Sequence, residues 1–353
     1  MKTNLFRVSA VLMLAFLALG SARAADQNDI FVLTSTNDPA GNQVVVFQLH
    51  AASTSSLTFV KALPTGGKGG AGGNAGALQF HDSFGAVVNF GSNNLTRLLR
   101  DENSIRTAGT VDLAPTCTQP DSVALNGAHA FVLGSNCAES HSWPGGGLEG
   151  NLVALSDSSG AQIVAGKTWA AVTLKSGSVL QLSLSEEGAL TGNSTTFTLP
   201  SNANNTPLGA AFWGDILGFN PAHSPDSFAL VDKQGDVFPV LGPQPAYPSN
   251  APCWLAKGPG NIWYSGNSPG QAVSIFFSDG RGGTFYKSVS LPGTPTDVSV
   301  SRDNEWLAVI YTAADGSGAR VAVFAIDNYG DLSLAATSKP VGAASFNGVA
   351  ISE

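Results

Sequence analysis

Short apolar runs and polar, glycine-rich punctuation alternate along the whole chain. IFVLT at 30–34, QVVVFQL at 43–49, AVVNF at 86–90, SFALV at 227–231 and RVAVFAI at 320–326 are each five to seven residues long. Clusters of Gly, Asn, Asp, Ser and Pro separate them, and no long segment carries a 3.6-residue apolar period. This is the pattern of many short strands joined by turns, so the fold class is all-β.

The strands recur with a period. Proline opens four similar runs: PDSVAL at 120, PLGAAF at 207, PCWLA at 252 and PTDVSV at 295. Three intervals of 87, 45 and 43 residues separate them, and the first is twice a unit of about 44. The copy without a proline falls near residues 163–172, and two more fit the register, GALQF at 76–80 and NGVAI at 347–351. A repeat of roughly 40–50 residues carrying four strands marks a β-propeller blade. Starts near 76, 121, 163, 208, 253 and 296 define six blades. The seventh combines residues 348–352 with the strands from Ile30 onward, so strands from both ends of the chain close the ring and leave no open edge. A β-sandwich with a tail would accommodate the strands but not the period.

The first 24 residues read differently. Lys2 and Arg7 precede an apolar stretch over 8–19, and Ala22-Arg23-Ala24 has the small-x-small form of a signal-peptidase site. The stretch is shorter than the roughly 20 apolar residues that span a bilayer. Residues 1–24 are therefore expected to be a cleaved signal peptide, residues 25–353 a single propeller domain, and the protein periplasmic or secreted, a monomer without membrane insertion.

Charge narrows the partners. The formal net charge is −8, and residues 1–24 hold three of the 17 basic side chains and none of the 25 acidic ones. The folded part is thus more acidic than the whole, which argues against nucleic acid, anionic membranes and an anionic substrate; a small-molecule or sugar-like ligand is the partner expected. In an oxidising compartment Cys117 and Cys137, which flank two neighbouring strands, are expected to bridge and Cys253 to stay free; three unpaired thiols are the alternative. Without a CxxC or HxH spacing no metal site is expected.

Several stretches resemble the lactonase-like seven-bladed propellers, the group that includes bacterial 6-phosphogluconolactonase and fungal carboxymuconate lactonising enzymes. They are TNDPAGN at 36–42 before a VVVF strand, PTGGKGGAGGNAGALQF at 64–80, NFGSNNLTRL at 89–98, APCW at 251–254 and PTDVSVSRDNEWLAV at 295–309. The resemblance implies a propeller and, for the function, hydrolysis of a cyclic ester without a nucleotide cofactor. The chain departs from the group at Ala75, where many members carry Gln, and at 301–304, where Ser-Arg-Asp-Asn replaces Ser-Pro-Asp-Gly. A 6-phosphogluconate lactone, cytosolic and anionic, does not suit an exported acidic protein.

In a propeller the entrances to the innermost strands and the second-to-third-strand loops share one face, around the channel mouth. Asp121, Trp254, Asp297 and Asn347 fall at such entrances. His141 and His223 are expected in second-to-third loops on that face, His141 within a long loop over 136–151 that also carries Glu139, Trp143 and Glu149. Lactone hydrolysis needs a base and an oxyanion partner. His141, His223, Asp121 and Asp297 are the candidate catalytic groups; Lys68, Arg320, Trp254 and Asn347 are the candidate ligand contacts. The glycine run over 66–76 is no phosphate cradle, since no helix follows it. The other reading is a non-catalytic propeller that holds a ligand or protein on the same face.

Overall fold

The computed structural model describes residues 30–51, 55–224, 227–241, 251–342 and 346–353; the expected signal segment lies outside them. The apolar runs become 28 strands in antiparallel meanders of four. Two meanders are joined by a single parallel bridge between Asn151 and Thr191, so seven blades are present among the described residues. Their innermost strands are Leu78–His81, Ser122–Asn126, Gly160–Ala165, Pro207–Trp213, Pro252–Lys257, Gly293–Val300 and Asn347–Ser352, in blades two to seven and then one. Each touches the next and the last touches the first.

Blade one closes the ring. Strand Asn347–Ser352 lies inside Ile30–Ser35, with Phe31 opposite Ser352 and Leu33 opposite Ala350. Thr34 Oγ1 donates to the Gly348 carbonyl at 2.7 Å. This is the pairing expected from the register of the repeat.

The core follows from a period of two. Strands buried on both faces give their alternate side chains to the two neighbouring blades, and the apolar residues accordingly sort into seven clusters, one per blade junction. Trp169, Trp263 and Tyr264 are wholly enclosed.

Turn chemistry is equally local. The hairpins DKQGD at 232–236 and DNYGD at 327–331 use the same device. Asp232 Oδ1 accepts from the N–H groups of Gln234 and Asp236, and Asp327 Oδ1 from those of Tyr329 and Asp331. Gly235 and Gly330 supply the positive φ, +90° and +81°.

Candidate functional site at the channel mouth

The glycine-rich connection from blade one to blade two does not stay on the rim. It dips into the axis of the ring and is tied there to three other blades. The Ala75 N–H donates to the Ala161 carbonyl of blade four at 3.1 Å, and the Val123 N–H of blade three donates to the Gly76 carbonyl at 2.9 Å. The Gly76 N–H donates to Asp297 Oδ2 of blade seven at 3.2 Å. Gly76 has φ +68°, and a Cβ there would lie 3.0 Å from Gln162 Nε2 and 3.1 Å from Ser122 Oγ, so glycine suits this crossing. Ala75 is buried in the cluster containing Trp254 and Leu208. Residues 74–76 thus plug the channel from above.

Below the plug a narrow channel of about 290 Å³ follows the innermost strands, with Asp297 toward the mouth and Lys257 at the far end. Above it lies a cavity of about 410 Å³. Its floor is the backbone of Gly72, Gly73 and Asn74; Trp254, Thr296, Phe346 and Asn347 form one wall, and Asn37 and Pro39 the other. The floor is held by amides. Asn37, at φ +51°, donates from Nδ2 to the Ala71 carbonyl at 2.7 Å and accepts at Oδ1 from the Gly70 and Ala71 N–H groups. Asn347 Nδ2 donates to Asn74 Oδ1 at 2.8 Å, and Asn74 Nδ2 donates to the Asp121 carbonyl. Trp254 gives its indole N–H to the Pro295 carbonyl at 2.8 Å, so what it offers the cavity is ring surface.

Two carboxyl groups at this end are perturbed. Burial pushes Asp121 up to about 6, and the nearby Lys175 ammonium pulls against that shift. Lys175 Nζ itself donates to the Gly73 carbonyl at 3.2 Å. Burial pushes Asp297 up to about 7, opposed by the backbone N–H groups of Val298, Gly76 and Val349. At the far end burial lowers Lys257 to about 8. Its Nζ still donates to the carbonyls of Gly258 and Gly260 and lies 5.3 and 5.5 Å from the rings of Trp213 and Trp263.

The expected site residues therefore separate. Trp254, Asn347 and Asp121 gather at the mouth, whereas Asp297 is sealed beneath the plug. His223 is exposed on the same face, its Nδ1 2.8 Å from Thr206 Oγ1, but it does not line the cavity. Lys68 is an exposed residue of the glycine-rich connection. Arg320 faces Asp315 at 3.8 Å and donates to Ser317.

His141 requires a correction. Residues 136–151 are not one loop, because Cys137–Ser142 and Leu148–Ala154 are the third and outermost strands of blade three. Ser142 pairs with His129, at the first-to-second turn, which places His141 at the end of the blade away from the mouth. It is buried, with Nε2 2.8 Å from Glu139 Oε1 and Nδ1 3.1 Å from the Gly146 carbonyl. Trp143 lies in the turn at that same end. Cys117 and Cys137 are joined, with Cα atoms 5.4 Å apart, and Cys253 is free. Asn74, Lys175 and Asn37 were absent from the sequence-based set.

No family model matches the chain, and no curated protein resembles it closely in sequence. Solved structures do resemble it. A candidate 6-phosphogluconolactonase from Bacteroides fragilis superimposes with a TM-score of 0.65 at 12% identity, over 94% of this chain and 99% of the other. The chain has the β-propeller fold of that protein. A second candidate 6-phosphogluconolactonase, from Bacteroides uniformis, gives 0.65 at 14% identity over 91% and 99% of the two chains. A streptogramin B lyase gives 0.60 at 13% over 79% and 87%. At these identities the likeness to these propellers is one of fold alone.

Proposed function

We propose that this lactonase-like propeller is an exported binding protein, freed of residues 1–24, whose channel-mouth cavity holds a small, uncharged, sugar-like molecule. One observation carries the reading: the cavity is walled by ring surface and amides, Trp254 and Phe346 with Asn74 and Asn347, and floored by glycine backbone. Such a lining packs a flat ring and hydrogen-bonds its hydroxyls. The base and cation sought for catalysis are largely elsewhere, since His141 and Asp297 are buried away from it and Arg320 is turned to Asp315. Calorimetry with a panel of neutral monosaccharides and sugar lactones tests this. Saturable binding that weakens at least tenfold in Asn347→Ala is expected; no binding by the wild type, or none lost in the variant, overturns it.

A second reading is favoured by Asp121. A carboxyl group near 6, beside the Lys175 ammonium and bonded through its backbone to Asn74, can take the proton of a water at neutral pH while Lys175 faces the developing oxyanion. Water would add to the lactone carbonyl, the ring C–O bond would break, and the proton would pass to the leaving alkoxide to give the hydroxy acid. Asp121→Asn separates the readings, abolishing turnover in this one while binding persists in the first.

A further inference from the structure

A second concavity opens on the perimeter, where blade seven meets blade one. Along strand Gln43–His50 the period of two puts Gln43, Val45 and Phe47 on one face. The register brings Ala62 opposite Val45 and Phe59 opposite Phe47. Residues 339–341, which follow the outermost strand of blade seven, form the facing wall. The enclosed volume is about 660 Å³, larger than that of the mouth cavity.

The groove is graded. Thr36, Gln43 and Lys339 stand at its mouth-side end, and Val45, Phe47, Leu57 and Phe59 lie toward the other. Val45 and Phe47 pack on blade seven, and Phe59 meets Phe47 edge to face at 6.3 Å. Yet Phe59 remains 58% exposed and its neighbour Val60 42%, which leaves apolar surface in water beside the groove. Lys339 is the one charged side chain in the lining. In a chain with 25 acidic and 17 basic residues, a cation at the head of an apolar groove complements an anion that carries an apolar tail. The five residues from Gln43 to Phe47, four steps along the strand, span about 13 Å, the reach of an extended alkyl chain of about ten carbons.

We propose that this groove binds a medium-chain alkyl carboxylate, with its chain along Val45, Phe47 and Phe59 and its carboxylate on Lys339. The site is independent of the channel mouth. An extended peptide pairing with the outer strand Ser56–Pro64 is the competing occupant, and it would not require Lys339.

Calorimetric titration with decanoate and with decanol, below their aggregation limits, tests the proposal. Saturable 1:1 decanoate binding with a negative heat-capacity change is expected. Lys339→Gln should weaken decanoate roughly tenfold, the loss of a charge-assisted contact, and leave decanol unchanged. Ala62→Trp, which fills the groove, and Phe59→Asp, at an exposed position, should abolish both with the melting temperature preserved. No saturable decanoate binding by the wild type overturns the proposal. So does decanoate affinity that is unaltered in Lys339→Gln, or that survives both groove substitutions.

Discussion

The Gly76 N–H and the Asp297 carboxylate meet at 3.2 Å across the axis of the ring, although 221 residues separate them. Blade two's entrance and blade seven's innermost strand are thereby joined directly, without the intervening blade. Gly76→Ala should destabilise the fold by at least about 1 kcal/mol, because φ +68° is unfavourable for a residue with a Cβ. Gly72→Ala, where a Cβ meets nothing within 4 Å, is the control. Urea unfolding midpoints compare the two.

Stability should fall as pH rises from about 4 to about 7. Asp297 is raised to about 7 by burial, and Glu353 to about 7 by burial and by Asp303. Each holds its proton more tightly folded than unfolded, so stability is greatest below the unfolded value and is lost as pH passes through the folded one. Glu353→Gln, which cannot ionise, should flatten part of that slope in thermal melts at pH 5 and pH 8. An unchanged slope would contradict the assignment.

His141→Ala should cost roughly 3–5 kcal/mol, since it leaves the fully buried Glu139 without its ring partner. His81→Ala, at the exposed end of strand Leu78–His81, should cost far less. If the two variants unfold at the same denaturant concentration, the buried pair contributes nothing. Neither substitution should alter ligand binding at the mouth.

Thiol labelling of the denatured, unreduced protein should find one reactive cysteine, Cys253, and three after reduction. Cys117 and Cys137 are 20 residues apart in sequence, and closing a loop of that size stabilises by about 3 kcal/mol. The Cys117→Ser, Cys137→Ser double variant should lose about that much in equilibrium unfolding.

If sugar lactones prove to be substrates, turnover should rise with pH through about 6, as Asp121 loses its proton and becomes a base. Asp121→Asn should reduce it by about 10²–10⁴. An Asp121→Asn enzyme with unchanged rates would assign the chemistry to another group.

The strands and the ring were legible because each blade repeats the same physical problem: short apolar runs in its three inner strands, a proline or glycine at or near the start of the innermost, and polar turns between. The exception is Cys137–Ser142, which reads CAESHS and carries Glu and His inside a blade. Their polarity suggested a solvated loop; the pair satisfies itself in the interior, where Glu139 also accepts from the Ala114 N–H. The mouth was only half legible. Asp121, Trp254 and Asn347 all fall within a residue or two of a strand entrance, so the repeat located them. Asn37, Asn74 and Lys175 come from connections of different blades and different lengths, and only the folded ring brings them together. Nor does a glycine-rich run in sequence disclose that it will cross the axis rather than skirt it.

Phe31 and Ser352 are partners in blade one, so Ile30 and Glu353 stand side by side where every other blade has its first hairpin turn. A short turn bridging them would make the backbone circular with the sheet order intact, and a new opening could then be cut in another exposed hairpin. Bringing Thr34 to Gly348 closes a separation of 314 residues, yet loop entropy grows so slowly that this costs only about 2 kcal/mol more than closing a single blade. A circular permutant opened at another blade's first turn is therefore expected to assemble the same ring.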